Sequence, residues 1–125
     1  MRNSSGKIGE QYIQQLLQKQ GYILRAANYR SRYGEIDIIA EKEQYIVFVE
    51  VKTRDEKRKA EPLEAVTAIK RKKVVQTAML YLQEHMQAQK LQPRFDVAGV
   101  ITSGREQTVI QVQYLEGAFD AGGLF

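Results

Sequence analysis

Three charged side chains interrupt a strongly apolar stretch of this sequence, YGEIDIIAEKEQYIVFVEVKTR at residues 33–54. Asp37, Glu50 and Lys52 stand among isoleucines and valines, where a charged group is costly to bury unless it is paired. Mg²⁺ prefers oxygen ligands, and it commonly takes one or two carboxylates while keeping room for water and phosphate oxygens. The residue types therefore indicate a divalent-cation site, with a lysine that can act on an attacking water or on phosphorus.

The spacing of the two acids predicts that they share one face of a β-hairpin. Residues 33–40 and 45–54 are rich in β-branched residues and predict its two strands. An even-length turn centred between residues 43 and 44 places Asp37 opposite Glu50, and directly opposed residues share a face. An odd-length turn would put the two carboxylates on opposite sides of the sheet.

The neighbours of Glu50 follow from the alternation of side chains along a strand. Glu50 and Lys52 point to the same face, while Val51 between them points into apolar packing. The backbone carbonyl of Val51 is therefore a third candidate metal ligand, beside Asp37 and Glu50. In the same register Glu35 faces Lys52. Its alternative roles are an ion-pair partner of Lys52, an acid that caps the backbone, and a further metal ligand.

Two opposed carboxylates weaken a sheet unless another charge offsets their repulsion. At about 4–5 Å this repulsion is roughly 1 kcal/mol in water and about 3–4 kcal/mol at an effective dielectric constant near 20. Lys52 offsets part of it, and a divalent cation offsets more. The alternative is an ordinary ladder of acid–lysine pairs on an exposed sheet face, but the apolar flanks and neighbouring basic runs favour the cation site.

The elements that must position this hairpin follow the order α-β-β-β-α-β-β. An apolar stripe predicts a first helix over residues 5–20, which Gly21 would end. The other predicted elements are a strand over residues 22–29, a helical stretch from Pro62 to about Met86 with a break near Thr67, a linker over 87–92, strands over 94–102 and 107–115, and an irregular tail over about 116–125. This order predicts an α/β fold in which one mixed central sheet is flanked by helices.

The composition is that of a single ordinary globular domain spanning residues 1–125. The absence of cysteine and the single histidine exclude a disulfide framework, a thiolate metal site and cysteine or serine nucleophile mechanisms. No glycine-rich motif indicates a nucleotide cofactor. No run is apolar enough for a signal peptide or a membrane span, so we expect a cytoplasmic protein without a membrane partner.

Basic residues flank the hairpin on both sides, although the net charge is only +4. Such runs either form a solvated face or contact phosphates. Contacts to phosphates are salt-sensitive and largely independent of the nucleic-acid sequence. The residues that we assign to nucleic-acid binding are Arg30, Arg32, Arg54, Lys70 and Lys73. Their position around the paired acids permits a polyanionic partner without requiring one.

Two further polar residues have simpler interpretations. His85 lies late in the second predicted helix, where a positive charge suits the helix dipole, and we assign it no catalytic role. Asp96, in RFDV, lies within a predicted strand. A structural ion pair with Arg94 or a neighbouring lysine is favoured for Asp96 over a supporting role at the metal site.

The blocks GEIDIIA and IVFVEVKTR resemble the core of the PD-(D/E)xK nuclease superfamily. More closely, the chain resembles the YraN-like family of bacterial proteins, which are related to archaeal Holliday-junction resolvases. The likeness covers most of the chain and includes GEQYIQQLLQKQGYILRAANYR, EAVTAIKRKKV and RFDVAGV. One departure is Ile36, which stands where the superfamily often has proline.

The resemblance implies a restriction-endonuclease-like core and cleavage of DNA that depends on Mg²⁺ or Mn²⁺. By position it makes Asp37 and Glu50 the metal-binding acids and Lys52 the catalytic lysine. It also implies a catalytic role for Glu10, in the first helix, as an acid beside the metal. Resolvase-like relatives act as dimers, so a homodimer is a further expectation, although no residue identifies its interface.

These observations support three hypotheses of function. The first is a Mg²⁺-dependent endonuclease that hydrolyses phosphodiester bonds in DNA, including branched or junction DNA. The second is a nucleic-acid-binding accessory protein without catalytic turnover, which needs the basic surface but not the paired acids. The third is a protein-interaction adaptor that uses the apolar tail from Phe119 to Phe125.

Overall fold

Five strands form one mixed sheet that carries a helix on each face. The computed structural model describes residues 4–57, 66–104 and 108–122. Its elements are α1 (Ser4–Lys19), β1 (Ile23–Ser31), β2 (Gly34–Lys42), β3 (Tyr45–Asp55), α2 (Ala68–Glu84), a short 3₁₀ helix (Met86–Lys90), β4 (Gln92–Thr102) and β5 (Val109–Phe119). The predicted order α-β-β-β-α-β-β is confirmed. None of the helices within the described ranges is long and apolar enough to cross a membrane.

The strands lie side by side in their chain order, β1-β2-β3-β4-β5. β3 and β4 are parallel, whereas the other neighbouring strands are antiparallel. A parallel pair requires a crossover connection, and the chain between β3 and β4 contains α2. This mixed sheet between two helices is consistent with the restriction-endonuclease-like core that the resemblance implies.

Alternation along β3 separates two hydrophobic clusters on opposite faces of the sheet. Val47 and Val49 pack in the cluster that contains α1, whereas Phe48 packs in the cluster that contains α2. Glu50 and Lys52 continue the even-numbered series and therefore lie on the face that α2 covers. The predicted placement of these two side chains on one face is thus confirmed.

A two-residue turn that begins at Glu43 sets the register of the β2–β3 hairpin. Glu43 has a left-handed φ of 55°, which is uncommon for a residue with a side chain. The ladder runs from this turn to Ile38 opposite Val49. This is the predicted register, and the ladder ends one residue before Asp37 and Glu50.

The two hairpin strands separate beyond that last pair. The β2–β3 ladder ends at Ile38 and Val49, yet β2 begins four residues earlier and β3 continues to Asp55. Over this interval β2 stays paired with β1, and β3 stays paired with β4. We call the opening between residues 34–37 and 50–55 the fork.

Side-chain alternation breaks in β2 where the fork begins. Ile36 and Ile39 both pack in the α2 cluster, whereas Ile38 packs in the α1 cluster. A regular strand would put Ile36 on the same face as Ile38. The strand therefore changes its orientation at Asp37, which the sequence pattern does not reveal.

The second helix begins where the sequence indicates a break. Thr67 is the N-cap of α2, and its hydroxyl accepts a hydrogen bond of 3.2 Å from the backbone N–H of Lys70. This confirms the predicted break near Thr67. The earlier part of the predicted helix, including Pro62, lies outside the described residues.

Two predictions of irregular structure are wrong. Residues 87–92 were predicted as a linker, but Met86–Lys90 form a 3₁₀ helix and β4 begins at Gln92. The tail was predicted as irregular from residue 116, but β5 continues to Phe119. The β4–β5 register shifts near this end, and Gly117 has a φ of 58°. A bulge of this kind breaks the period of two by which a strand is recognised in a sequence.

Helix α1 approaches β3 closely at Gly9. A Cβ atom on Gly9 would lie 1.9 Å from Oγ1 and 3.2 Å from Cβ of Thr53. Only glycine therefore allows this separation between the helix and the β3 arm of the fork. The contact also sets the position of Glu10, the next residue of α1.

We expect Gly9→Ala to lower the free energy of unfolding by about 1–3 kcal/mol, because the added methyl group overpacks the contact with Thr53. A decrease would distinguish this contact from an ordinary helix position, because replacing glycine with alanine inside a helix usually raises the free energy of unfolding by up to about 1 kcal/mol. Denaturant unfolding measures the change. The double variant Gly9→Ala, Thr53→Ala should recover most of the loss, and a stable single variant would contradict the close approach.

Candidate active site

The carboxylate of Asp37 lies where the fork opens. Asp37 is 5% exposed, and its Oδ2 accepts a hydrogen bond of 2.8 Å from the backbone N–H of Val51. In a continuous ladder this N–H would meet a backbone carbonyl of β2, so Asp37 supplies the missing acceptor. The N–H and C=O of a strand residue point to the same side. The Val51 carbonyl therefore also faces the fork, the orientation that its predicted role as a metal ligand needs.

Glu50 is a buried carboxylate that is incompletely paired. It is 5% exposed, and its Oε1 lies 3.4 Å from Nζ of Lys70. Its Oε2 is buried and has no hydrogen-bond partner within the described part of the chain. Burial raises the pKa of Glu50 to about 7, and the charge of Asp37 and a hydrogen bond with the Asp37 carboxyl add to the rise, while Lys70 and Lys52 oppose it. The two acids are thus close enough to interact, as predicted.

The two lysines of the site affect each other. Burial lowers the pKa of Lys52 to about 8, and the neighbouring ammonium of Lys70 adds to the fall, against the charges of Glu50 and Asp37. For Lys70, burial also opposes the charge, but the hydrogen bond with Lys52 and the charge of Glu50 outweigh it and raise the pKa. Lys52 can therefore exchange a proton near neutral pH, while Lys70 stays charged.

Asp96 shows how the same sheet satisfies a carboxylate that has a structural role. It is fully buried, and it accepts two hydrogen bonds of 2.9 Å from the guanidinium of Arg94. It accepts two more from the Tyr114 hydroxyl, at 2.6 Å, and from the Gly117 backbone N–H, at 2.9 Å. The favoured interpretation of Asp96 as a structural ion-pair partner of Arg94 is confirmed. Glu50, by contrast, has one buried oxygen without a hydrogen-bond partner among the described residues.

The donor set at the fork fits a hard divalent cation. The oxygens of Asp37 and Glu50 and the carbonyl of Val51 are of the type that Mg²⁺ and Mn²⁺ prefer. Among the described residues, no donor is hydrogen-bonded to Glu50 Oε2. Glu10 is also buried, at 5% exposure, on α1. Among residues 4–57, 66–104 and 108–122, however, no three or more His, Cys, Asp or Glu side chains form a metal-binding group. The role of Glu10 beside the metal stays a prediction.

Glu35 does not follow the predicted register. It lies opposite Arg30 in the β1–β2 ladder, and its Oε2 is 3.3 Å from Nε of that arginine. The prediction that Glu35 faces Lys52 is wrong, because β2 and β3 separate before the ladder reaches them. A local divergence of two strands leaves no mark on the pattern of apolar residues.

Four of the five residues assigned to nucleic-acid binding lie around the fork. Arg30 lies near the end of β1, Arg32 lies in the turn from which the β2 arm starts, and Arg54 lies on the β3 arm. Lys73 is exposed on α2, beside the first residue of β2. Lys70 differs from these four, because its ammonium lies inside the site against Glu50.

Comparison with known proteins identifies the family. A model of the uncharacterised protein family UPF0102 matches residues 9–100. This chain belongs to family UPF0102. The resemblance to YraN-like proteins is thereby confirmed. The region that is common to UPF0102 includes both arms of the fork and α2, and so contains Asp37, Glu50, Lys52 and Lys70.

Relatives match over nearly their whole length. A UPF0102 protein of Syntrophotalea carbinolica is 39% identical over 122 residues, which cover 98% of this chain and 96% of the relative. A UPF0102 protein of Alkaliphilus metalliredigens is 42% identical over 123 residues, which cover 95% of this chain and 100% of the relative. A UPF0102 protein of Myxococcus xanthus is 36% identical over 121 residues, which cover 97% of this chain and 93% of the relative. The UPF0102 fold therefore extends over the described elements.

Sequence reasoning missed the place of Lys70 in the candidate site. A helical spacing could have indicated it, because Lys70 precedes the buried residues Val74 and Ala78 by four and eight positions. That spacing puts the lysine on the side of α2 that packs on the sheet. Its membership of the run Lys70–Lys73 suggested an exposed basic surface instead.

We expect Glu50→Gln to raise the free energy of unfolding at pH 8 by about 1–3 kcal/mol, since one pKa unit corresponds to about 1.4 kcal/mol. The pKa of Glu50 in the folded protein is about 7, above its ordinary value of 4.5. Its ionisation therefore removes stability as the pH rises from about 4.5 to about 7. At pH 5 the carboxyl is mostly protonated, so the variant and the original protein should differ little.

Denaturant unfolding at the two pH values measures this difference. Glu56→Gln, at an exposed position, is the matched control and should change stability little at either pH. A Glu50→Gln protein that is less stable at pH 8 would contradict an under-paired carboxylate at the fork.

Proposed function

We propose that this protein is an endonuclease that hydrolyses phosphodiester bonds in DNA with Mg²⁺ or Mn²⁺. The observation that supports this most is Glu50, a buried carboxylate beside Asp37, one oxygen of which has no hydrogen-bond donor in the part of the chain that the structure describes. Proteins pair buried carboxylates or use them to bind cations. The same sheet satisfies Asp96 with four hydrogen bonds, so the incomplete pairing of Glu50 is a local feature.

Asp37, Glu50 and the carbonyl of Val51 would hold the metal ion. When bound, the ion supplies positive charge that neutralises the carboxylates and polarises the phosphate. Asp37 is held in place by the hydrogen bond that its Oδ2 accepts from the Val51 N–H. Glu10, on the neighbouring helix, would support this set from the α1 side.

Lys52 would assist the attacking water. Its pKa of about 8 leaves part of the amine neutral at slightly alkaline pH, and Nζ can then accept a proton from water as the new O–P bond forms. The leaving oxygen takes the electron pair of the broken P–O bond and receives a proton from solvent. Once protonated, Lys52 also stabilises the charge that develops on the phosphate.

The basic residues around the fork would position the DNA backbone. Arg30, Arg32, Arg54 and Lys73 supply positive charge on β1, the β1–β2 turn, the β3 arm and α2. Such contacts are salt-sensitive and do not read sequence. Branched or junction DNA and a homodimer are the substrate and assembly that the resolvase-like resemblance favours, because two symmetric cuts require two sites.

The second candidate function is a nucleic-acid-binding accessory protein without turnover. The basic residues around the fork favour it equally, since they need no chemistry at Glu50. DNA binding that weakens with salt, together with no uptake of Mg²⁺ or Mn²⁺ in calorimetry, would support this alternative over the endonuclease.

We expect Asp37→Asn and Lys52→Ala each to lower the cleavage rate by at least about 100-fold, the usual contribution of a general acid or base. Asp37→Asn removes a metal-binding charge, whereas Lys52→Ala removes the proton acceptor. Cleavage of duplex, nicked, flap and four-way-junction DNA is measured with Mg²⁺, with Mn²⁺ and with EDTA.

Matched controls for these variants lie at exposed positions. Asp120→Asn and Lys90→Ala carry the same changes away from the fork and should cleave as the original protein does. Circular dichroism confirms that each variant folds. Full activity of Lys52→Ala would remove the proposed mechanism.

The cleavage rate at subsaturating metal is expected to increase with pH. Glu50 must lose a proton to hold the cation, with a pKa of about 7, and Lys52 must be neutral to accept one, with a pKa of about 8. Both requirements favour higher pH, so the rate should rise between about pH 6 and about pH 8 and level above about pH 9. A pH–rate profile tests this, and a rate that falls over the same interval would contradict it.

A further inference from the structure

Lys70 occupies a position that the proposed chemistry leaves unexplained. It lies in the first turn of α2, which Thr67 caps, and its side chain is 38% exposed. Its ammonium is directed at the buried carboxylate of Glu50 rather than at solvent alone. A lysine that served only to contact DNA from the surface would not need this partner.

The contact between Lys70 and Glu50 is a loose one. The distance from Nζ to Oε1 is 3.4 Å, whereas a strong hydrogen bond between an ammonium and a carboxylate is about 2.7–2.9 Å. Oε2 of Glu50 meanwhile has no hydrogen-bond partner within the described residues. The lysine therefore offsets the charge of Glu50 but does not form a close contact with its oxygens. A divalent cation is smaller and doubly charged, so it would bind these oxygens more closely.

Among the four side chains that interact around Glu50, the charges balance without a metal. Asp37 and Glu50 carry two negative charges, and Lys52 and Lys70 carry two positive charges when protonated. A divalent cation makes this set positive, so Lys52 and Lys70 then repel it and are free to bind an anion. Without Lys70 the set would have a net negative charge and would attract the cation more strongly.

We propose that Lys70 is the cation that a divalent metal displaces from Glu50, and that the released ammonium then binds the phosphate next to the cleaved bond. This inference rests on the proposed function, because it needs a metal at Asp37 and Glu50. Lysine suits both positions, since it is a compact charge on a flexible stem that can move from a carboxylate to a phosphate. Lys70 thus stabilises the carboxylate pair before the metal binds and contacts the substrate afterwards.

The test compares Lys70→Met with Lys72→Met and Lys70→Arg. Methionine keeps the length and apolar character of the side chain and removes its charge. Lys72 is exposed on the same helix, so its variant carries the same change of net charge. Arginine keeps the charge at position 70. Calorimetry with Mn²⁺ alone measures metal affinity, and DNA affinity is measured in Ca²⁺, which is chosen to fill the site without supporting cleavage.

We expect Lys70→Met to bind Mn²⁺ roughly three- to tenfold more tightly than the original protein, because a competing positive charge is removed. Lys72→Met and Lys70→Arg should change this affinity less than twofold. In Ca²⁺, Lys70→Met should bind junction or duplex DNA roughly three- to tenfold more weakly than Lys72→Met does. A purely structural role for Lys70 would not produce tighter metal binding together with weaker DNA binding.

The outcomes separate this inference from the proposed function. If the original protein binds no Mn²⁺, the metal site itself is refuted. If it binds Mn²⁺ but Lys70→Met binds the ion equally or more weakly, the displacement is refuted and the endonuclease proposal stands. If the two methionine variants lose DNA affinity equally, Lys70 makes no specific phosphate contact and that half of the inference fails.

Discussion

The repulsion between two buried carboxylates is the interaction on which the rest of this structure depends. Asp37 and Glu50 meet where two strands of one sheet separate, and burial together with the charge of Asp37 holds the pKa of Glu50 near 7. A fold selected only for stability would replace or fully pair such groups. Here Asp37 accepts a backbone N–H, whereas Glu50 has a loosely placed ammonium at one oxygen and no hydrogen-bond partner at the other among the described residues. Sites that bind ions or substrates commonly carry this kind of local cost.

The surrounding elements all serve to hold that pair in place. The β2–β3 turn sets the register, the separation of the strands frees Val51, and the crossover through α2 brings a lysine above Glu50. On the other face, the contact of Gly9 with β3 sets the distance between α1 and the sheet. The far side of the sheet provides the contrast: Asp96 is buried more deeply than Glu50, yet four hydrogen bonds satisfy it. Two buried acids in one sheet thus differ in pairing as they differ in proposed role.

The agreement between sequence and structure is best where interactions are local. The turn length and the alternation of apolar residues specify which side chains of β3 share a face, so the placement of Glu50 and Lys52 could be predicted. The cap at Thr67 is equally local, because a hydroxyl and an N–H three residues apart suffice to form it. Predictions failed where a strand departs from its regular period, at Asp37 in β2 and at Gly117 in β5. A bulge or a divergence moves side chains between faces without changing the residue types.

The amino-acid sequence by itself determined the order of elements, the hairpin register and the identity of the paired acids, because turns, caps and strand alternation involve residues that are near in the chain. Only the tertiary structure decided that β2 and β3 separate after Ile38, that Asp37 accepts the Val51 N–H, and that Lys70 turns towards Glu50. The lysine and the glutamate are brought together by a crossover and by the packing of a helix on a sheet. Such contacts depend on the balance of many packing interactions over the whole domain, and no short pattern of residues encodes that balance.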